Sequence, residues 1–157
     1  MKVNLRFTVL VLPLSLSLCF CLPAQASSNV DGNLPDAQAL AQLELRAQQA
    51  GPRDQCFLYT ELVHTMTEIA GKQMLNGDID QASATLKKVE HYAELIHLGL
   101  ARDTKRLKSA ELLMHHTTYK LSEYLHQASG EDQATLQATL KQLDHVQNEI
   151  LTQVFNH

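Results

Sequence analysis

Tryptophan is absent, aromatic residues make up only 5% of the chain, and there are just four prolines, six glycines and three cysteines. Each shortage excludes something. No glycine-rich loop is available to cradle a phosphate. No basic stretch is interleaved with aromatics, so the usual means of stacking bases is missing and nucleic acid is not expected as a partner. No Cys-x-x-Cys pair occurs, which removes zinc-finger, thiol-redox and covalent-haem motifs. No Ser-His-Asp grouping or other nucleophile–base pair stands out, so no catalytic residue is assigned and the chain is read as non-enzymatic. β-Branched residues never alternate over the length of a strand, so no strand is expected.

The one long apolar run lies at the start. Met1 to Arg6 carries two positive charges, Phe7 to Leu22 is apolar but broken by Pro13, and Ala24-Gln25-Ala26 offers small residues where a signal peptidase reads them. That order predicts a cleavable signal peptide over residues 1–26 and export to the periplasm or the exterior. The run is shorter than the roughly 20 residues that a spanning helix needs, so no transmembrane anchor is expected after cleavage. Cys19 follows Leu18 and Cys21 follows Phe20, poor contexts for a lipid anchor. Cleavage removes Lys2 and Arg6, taking the formal charge from −4 to −6. It also removes Cys19 and Cys21 and leaves Cys56 alone, so no intramolecular disulfide can staple the fold even in an oxidising compartment. Apolar burial must hold the mature chain together. Its acidity argues against nucleic acid and anionic membrane surfaces.

Residues 27–34 read as a flexible polar leader, and residues 35–157 as a single helical domain rich in Ala, Leu, Gln, Glu and Lys. A short helix is expected from Pro35 to Ala50, ended by Gly51-Pro52. Pro52 suits the first turn of a second helix running to about Leu75. Asn76-Gly77 stops that helix, and Asp78 is expected to cap a third, with Gln81 as its capping-box partner. The apolar stripes have helical period: Cys56 or Tyr59, Leu62, Val63, Met66, Ile69, Ala70 and Gln73; Ala82, Leu86, Val89, Ala93, Ile96 and Leu100; Leu107, Ala110, Met114, Thr117, Leu121 and Leu125; Leu136, Leu143, Val146, Ile150 and Val154. Ser129-Gly130 separates the last two. An unbroken helix through residue 103 would be about 75 Å long, too long for so small a domain, so a break is expected at Arg102-Asp103-Thr104. The predicted fold is all-α, four long antiparallel helices in a bundle plus a short N-terminal helix.

The turn Gly77-Asp78-Ile79-Asp80-Gln81-Ala82, with Met66, Ile69, Ala70, Ala82, Leu86 and Val89 around it, resembles the middle of a tetratricopeptide repeat over about 24 residues. Gln73 stands where that family has an aromatic, and no second copy follows, where an array needs at least three. The resemblance therefore implies a tight helical hairpin rather than membership. An internal echo also occurs: Tyr59-Thr60-Glu61-Leu62-Val63-His64 is matched by Tyr92-Ala93-Glu94-Leu95-Ile96-His97, and more loosely by Glu123-Tyr124-Leu125-His126.

Histidine is what the chain has in quantity: all eight lie from His64 onward. Three sit in Glu-x-x-His, the motif that ferritin-like di-metal bundles point inward. At 100° per residue, Glu61, His64 and Glu123 fall about 140–180° from their core stripes, which sets that arrangement aside. Glu90, Glu94 and His97 flank the core on the third helix, as do Glu111 and His115 on the fourth. If these helices pair antiparallel about residues 102–103, Glu90 comes level with His115 and Glu94 with Glu111. Glu90, Glu94, Glu111 and His115 are thus the candidate site for Zn²⁺ or Cu²⁺; no other cofactor is expected. The same pairing puts His64 level with His91, and His116 with His145. Phe57, Leu75, Leu95 and Leu98 fall off the stripes and are expected to offer apolar surface to a protein partner or a second copy of the chain. The leading expectation is therefore an exported non-enzymatic bundle that binds a protein or self-associates, and a metal-binding protein of the cell envelope is the alternative.

Overall fold

The computed structural model describes residues 36–100 and 104–156. The expected signal peptide, leader and Pro35 lie outside these residues, as do Arg102 and Asp103. Five helices follow in order: α1 (Ala37–Gln49), α2 (Pro52–Leu75), α3 (Ile79–Gly99), α4 (Leu107–Gln127) and α5 (Glu131–Phe155). The fold is all-α, four long helices with a short one in front, as the periodicity predicts. Among the described residues no helix is long and apolar enough to cross a membrane.

The helix ends follow local chemistry. Asp36 caps α1, its side chain accepting from the Ala39 amide at 2.7 Å. Pro52 opens α2, where its missing N–H costs nothing. Gly77 turns the chain between α2 and α3 at φ 82, a left-handed conformation that suits glycine. Asp78 stands at the N-cap of α3 but makes no side-chain capping bond, so the expected capping box does not form there. The link after α3 ends with Arg106 in the left-handed region, at φ 60. The Lys105 amide donates to the Arg53 carbonyl at 2.8 Å, and the Arg106 guanidinium lies 3.4 Å from the Phe57 ring centroid. These contacts tie the start of α4 to the start of α2.

The stripes face inward as expected. Leu62, Val63, Met66, Leu86, Val89, Ile96, Met114, Leu121, Leu136, Leu143, Val146 and Ile150 are all fully buried. Burying a side chain of this kind contributes about 1.5–3 kcal/mol, enough for a core without disulfides. Three buried threonines satisfy their hydroxyls on the carbonyl four residues back in their own helix: Thr60 on Cys56, Thr67 on Val63 and Thr117 on Leu113. No buried side-chain polar atom among the described residues lacks a partner.

The order of helices around the bundle differs from the pairing assumed above. α2 packs against α3 and α4, α5 packs against those same two, and α1 lies along α2. α3 and α4 make no backbone-level contact and sit diagonally opposed. Successive helices still run up and down, so the molecule is two antiparallel hairpins, α2–α3 and α4–α5, laid side by side. This makes α2 parallel to its neighbour α4: Arg53 meets Lys105, His64 meets Thr117 and Gly71 meets Tyr124. α3 is likewise parallel to α5, where Glu90 meets Thr139 and His97 meets Glu149. The bundle therefore has two parallel layers, α2/α4 and α3/α5, on opposite sides.

Candidate metal centres on the two helix layers

The diagonal placement of α3 and α4 disperses the set predicted from sequence. Glu90 accepts from the Thr139 hydroxyl at 2.8 Å, and its carbonyl accepts from Gln142 at 3.0 Å, both on α5. His115 Nδ1 accepts from the Gln147 amide at 3.1 Å, also on α5. Glu111 is half-buried on α4 and Glu94 exposed on α3. Both helices turn these residues toward α5 or solvent rather than toward each other.

Two other groups do converge, one in each layer. His64, Glu68 and His116 form the first, and His97, His145 and Glu149 the second; in each, three donor atoms lie within 4.8 Å of one another. Both are built alike. One helix supplies a histidine and a glutamate four residues apart, which stack on one face, and its parallel neighbour supplies the second histidine.

In the α2/α4 triplet, His64 Nε2 is 3.8 Å from the Glu68 carboxylate, and the His64 and His116 rings are 5.4 Å apart. His64 Nδ1 lies 3.0 Å from the Thr117 hydroxyl. That hydroxyl spends its proton on the Leu113 carbonyl at 2.7 Å, so it receives the Nδ1 proton of His64. The network thereby assigns the tautomer and leaves the Nε2 lone pair facing Glu68 and His116. Burial holds the His64 pKa below its ordinary value; Glu68 pulls it up and His116 pushes it down, without reversing the direction. Clefts lie on either side, one reaching His64 beside Leu43 and Arg46, the other reaching His116 beside Phe57, Leu112 and Tyr119.

In the α3/α5 triplet, His97 Nδ1 donates to both Glu149 oxygens, at 2.7 and 2.8 Å. His145 Nε2 is 3.5 Å from the same carboxylate, and the two rings are 5.9 Å apart. The hydrogen bond and charge of Glu149 raise the His97 pKa, with Glu94 adding to the pull. A cleft bordered by Leu100, Asn148, Thr152 and Gln153 opens over these three side chains.

The arrangement His₂Glu suits a borderline ion such as Zn²⁺, whose bonds of about 2.0–2.2 Å to nitrogen and oxygen place tetrahedral donors roughly 3.3 Å apart. The donors of the α2/α4 triplet are slightly wider than that and are not closed onto one another by a hydrogen bond. Sequence reasoning missed both triplets. The signals present were His64/Glu68 and His145/Glu149, each four apart, but their completion depends on which helices are neighbours.

The apolar residues expected at the surface divide. Leu75 and Leu98 are exposed, at 68% and 70%. Phe57 is buried, because Arg106 and the start of α4 cover it, and Leu95 is half-buried against the core edge. Leu112 and Tyr119, about two turns apart on α4, are exposed at 67% and 57%. Cys56 is buried and its pKa is pushed up to about 12, so its thiol is packing material rather than a nucleophile. Comparison of the chain with protein-family models, curated proteins and solved structures finds no match.

Proposed function

We propose that this chain is an exported helical protein that binds a divalent transition metal, zinc or copper, through His64, Glu68 and His116. The observation that carries the reading is the His64–Thr117–Leu113 relay. A metal-binding histidine characteristically donates its other ring N–H to an oxygen that fixes its tautomer and orientation. His64 has that support, on a hydroxyl whose own proton is already committed. Burial favours the neutral, ligating imidazole. The helices beneath are held in register by the packed core, which sets the spacing from which the donors project. Three protein ligands leave a further position for water or a ligand from outside. Export rests on the pattern of residues 1–26.

Calorimetric titration of the mature protein with Zn²⁺ and Cu²⁺ tests this. The expected result is binding well below millimolar that His116→Ala weakens by at least tenfold. Millimolar binding unaffected by His64→Ala and His116→Ala overturns it. Mass measurement of the exported protein checks the start at Ser27.

A second reading, attachment to a protein partner or a second copy, is favoured by the exposed Leu112 and Tyr119 on α4, which border the cleft at His116. A strictly monomeric mass at all concentrations removes its self-association branch.

A further inference from the structure

We infer that His97, His145 and Glu149 form a second metal site, on the opposite side of the bundle from the first, so that the chain takes up two ions. The donor chemistry is the same, two imidazoles and a carboxylate within 4.8 Å. The frame is equally rigid. Below the triplet, α3 and α5 are tied by Thr139 to the Glu90 carboxylate and by Gln142 to the Glu90 carbonyl. All three donors open into one cleft, where Asn148, Thr152 and Gln153 offer polar neighbours to a hydrated ion. Glu94 stands close enough to His97 to act on its charge, giving the site a second negative group nearby.

One difference sets the order of filling. Glu149 already holds His97 through both oxygens, at a separation shorter than two ligands of one tetrahedral ion can keep. An ion enters by releasing the His97 Nδ1 proton to water and drawing Glu149 away from His97 toward His145, whose Nε2 is 3.5 Å from the carboxylate, near ligand spacing. The α2/α4 triplet requires no such exchange. It fills first, and the α3/α5 triplet fills second and more weakly.

The test is Zn²⁺ stoichiometry of the mature chain, read by calorimetry and by competition with a chromophoric chelator. The expected outcome is two ions of unequal affinity. His145→Ala and Glu149→Gln each abolish the weaker ion or weaken it at least tenfold, and leave the tighter one unchanged. His145 is exposed, so its replacement does not disturb the core, and a circular-dichroism melt confirms the fold of each variant. His64→Ala removes the tighter ion alone, so failure of the first site and failure of the second give different records. Two results overturn the inference: a single ion bound by the wild type, or a second ion retained in both His145→Ala and Glu149→Gln. Loss of the second ion to an equal degree in His126→Ala, far along α4, also overturns it, by showing adventitious binding to exposed imidazoles.

Discussion

On the α2/α4 side of the bundle, a half-buried histidine gives its Nδ1 proton to a neutral hydroxyl; on the α3/α5 side, an exposed histidine gives the same proton to a carboxylate. Residue types, spacing and parallel helix pairing are otherwise shared. The choice of acceptor decides what each triplet does in the absence of metal. Thr117 is satisfied by His64 and Leu113, and so leaves Glu68 outside the hydrogen bond and available. Glu149 is taken up by His97 of the neighbouring helix. Without metal, one constellation thus rests as an open donor set and the other as a closed ion pair, separated by whether a further oxygen takes the ring proton.

The largest effect that sharpens this comparison is loss of His64 itself. His64→Ala removes the one donor whose orientation is fixed, and Zn²⁺ affinity at the α2/α4 triplet falls by about 100-fold, the upper range for disrupting such a site's supporting shell. A fall of less than threefold in calorimetry breaks the distinction drawn between the two sides. Next is the spacing of the layer. A Cβ at Gly71 would land on the Tyr124 ring, so glycine is what lets that ring of α4 lie against α2. Gly71→Ala is expected to cost about 1–3 kcal/mol as overpacking, measured by denaturant unfolding. It also weakens Zn²⁺ binding on the α2/α4 side and leaves the α3/α5 side unaffected. Equal loss on both sides contradicts the independence of the layers. Third comes the acceptor. Thr117→Val keeps shape but takes away the oxygen that receives His64 Nδ1, and about tenfold in affinity goes with it. An unchanged affinity in the folded variant removes the relay from the account.

The parts of this picture differ in how far the residues alone reveal them. Helical period locates the buried stripes because one helix face answers to its own sequence. Leu62, Leu86, Met114 and Ile150 needed no knowledge of neighbours to be placed inward. The hairpin around Gly77 was legible for the same reason, since a positive φ and short loop are local. The site was not legible. Glu90, Glu94, Glu111 and His115 were grouped by assuming that consecutive helices pack, whereas α3 and α4 stand diagonally opposed and Glu90 and His115 each meet α5 instead. Phe57 shows the same dependence: its helical angle points outward, and Arg106, 49 positions on in sequence, covers it. Angles about one helix give direction; partners come from the arrangement of four.

The smallest effect is also the one that separates the triplets by sign. His97 has a raised pKa in the folded chain, caused first by its hydrogen bond to Glu149 and then by the charges of Glu149 and Glu94. Folding therefore favours its protonated form. The stability it contributes is fully present below the unfolded value of about 6.5 and is lost as pH rises through the higher folded value. His64 is the reverse. Burial lowers its pKa, opposed by Glu68 and reinforced by His116, and folding favours the neutral ring. Its contribution is present above about 6.5 and is lost as pH falls through the lower folded value. Denaturant unfolding of the wild type, His97→Gln and His64→Gln between pH 5.5 and 8, in chelator to exclude metal, measures both. The stability difference between wild type and His97→Gln shrinks as pH rises, and that between wild type and His64→Gln shrinks as pH falls. Slopes of the same sign would mean either that burial does not hold His64 neutral or that Glu149 does not hold His97 charged in solution, and the contrast between the two sides would fail.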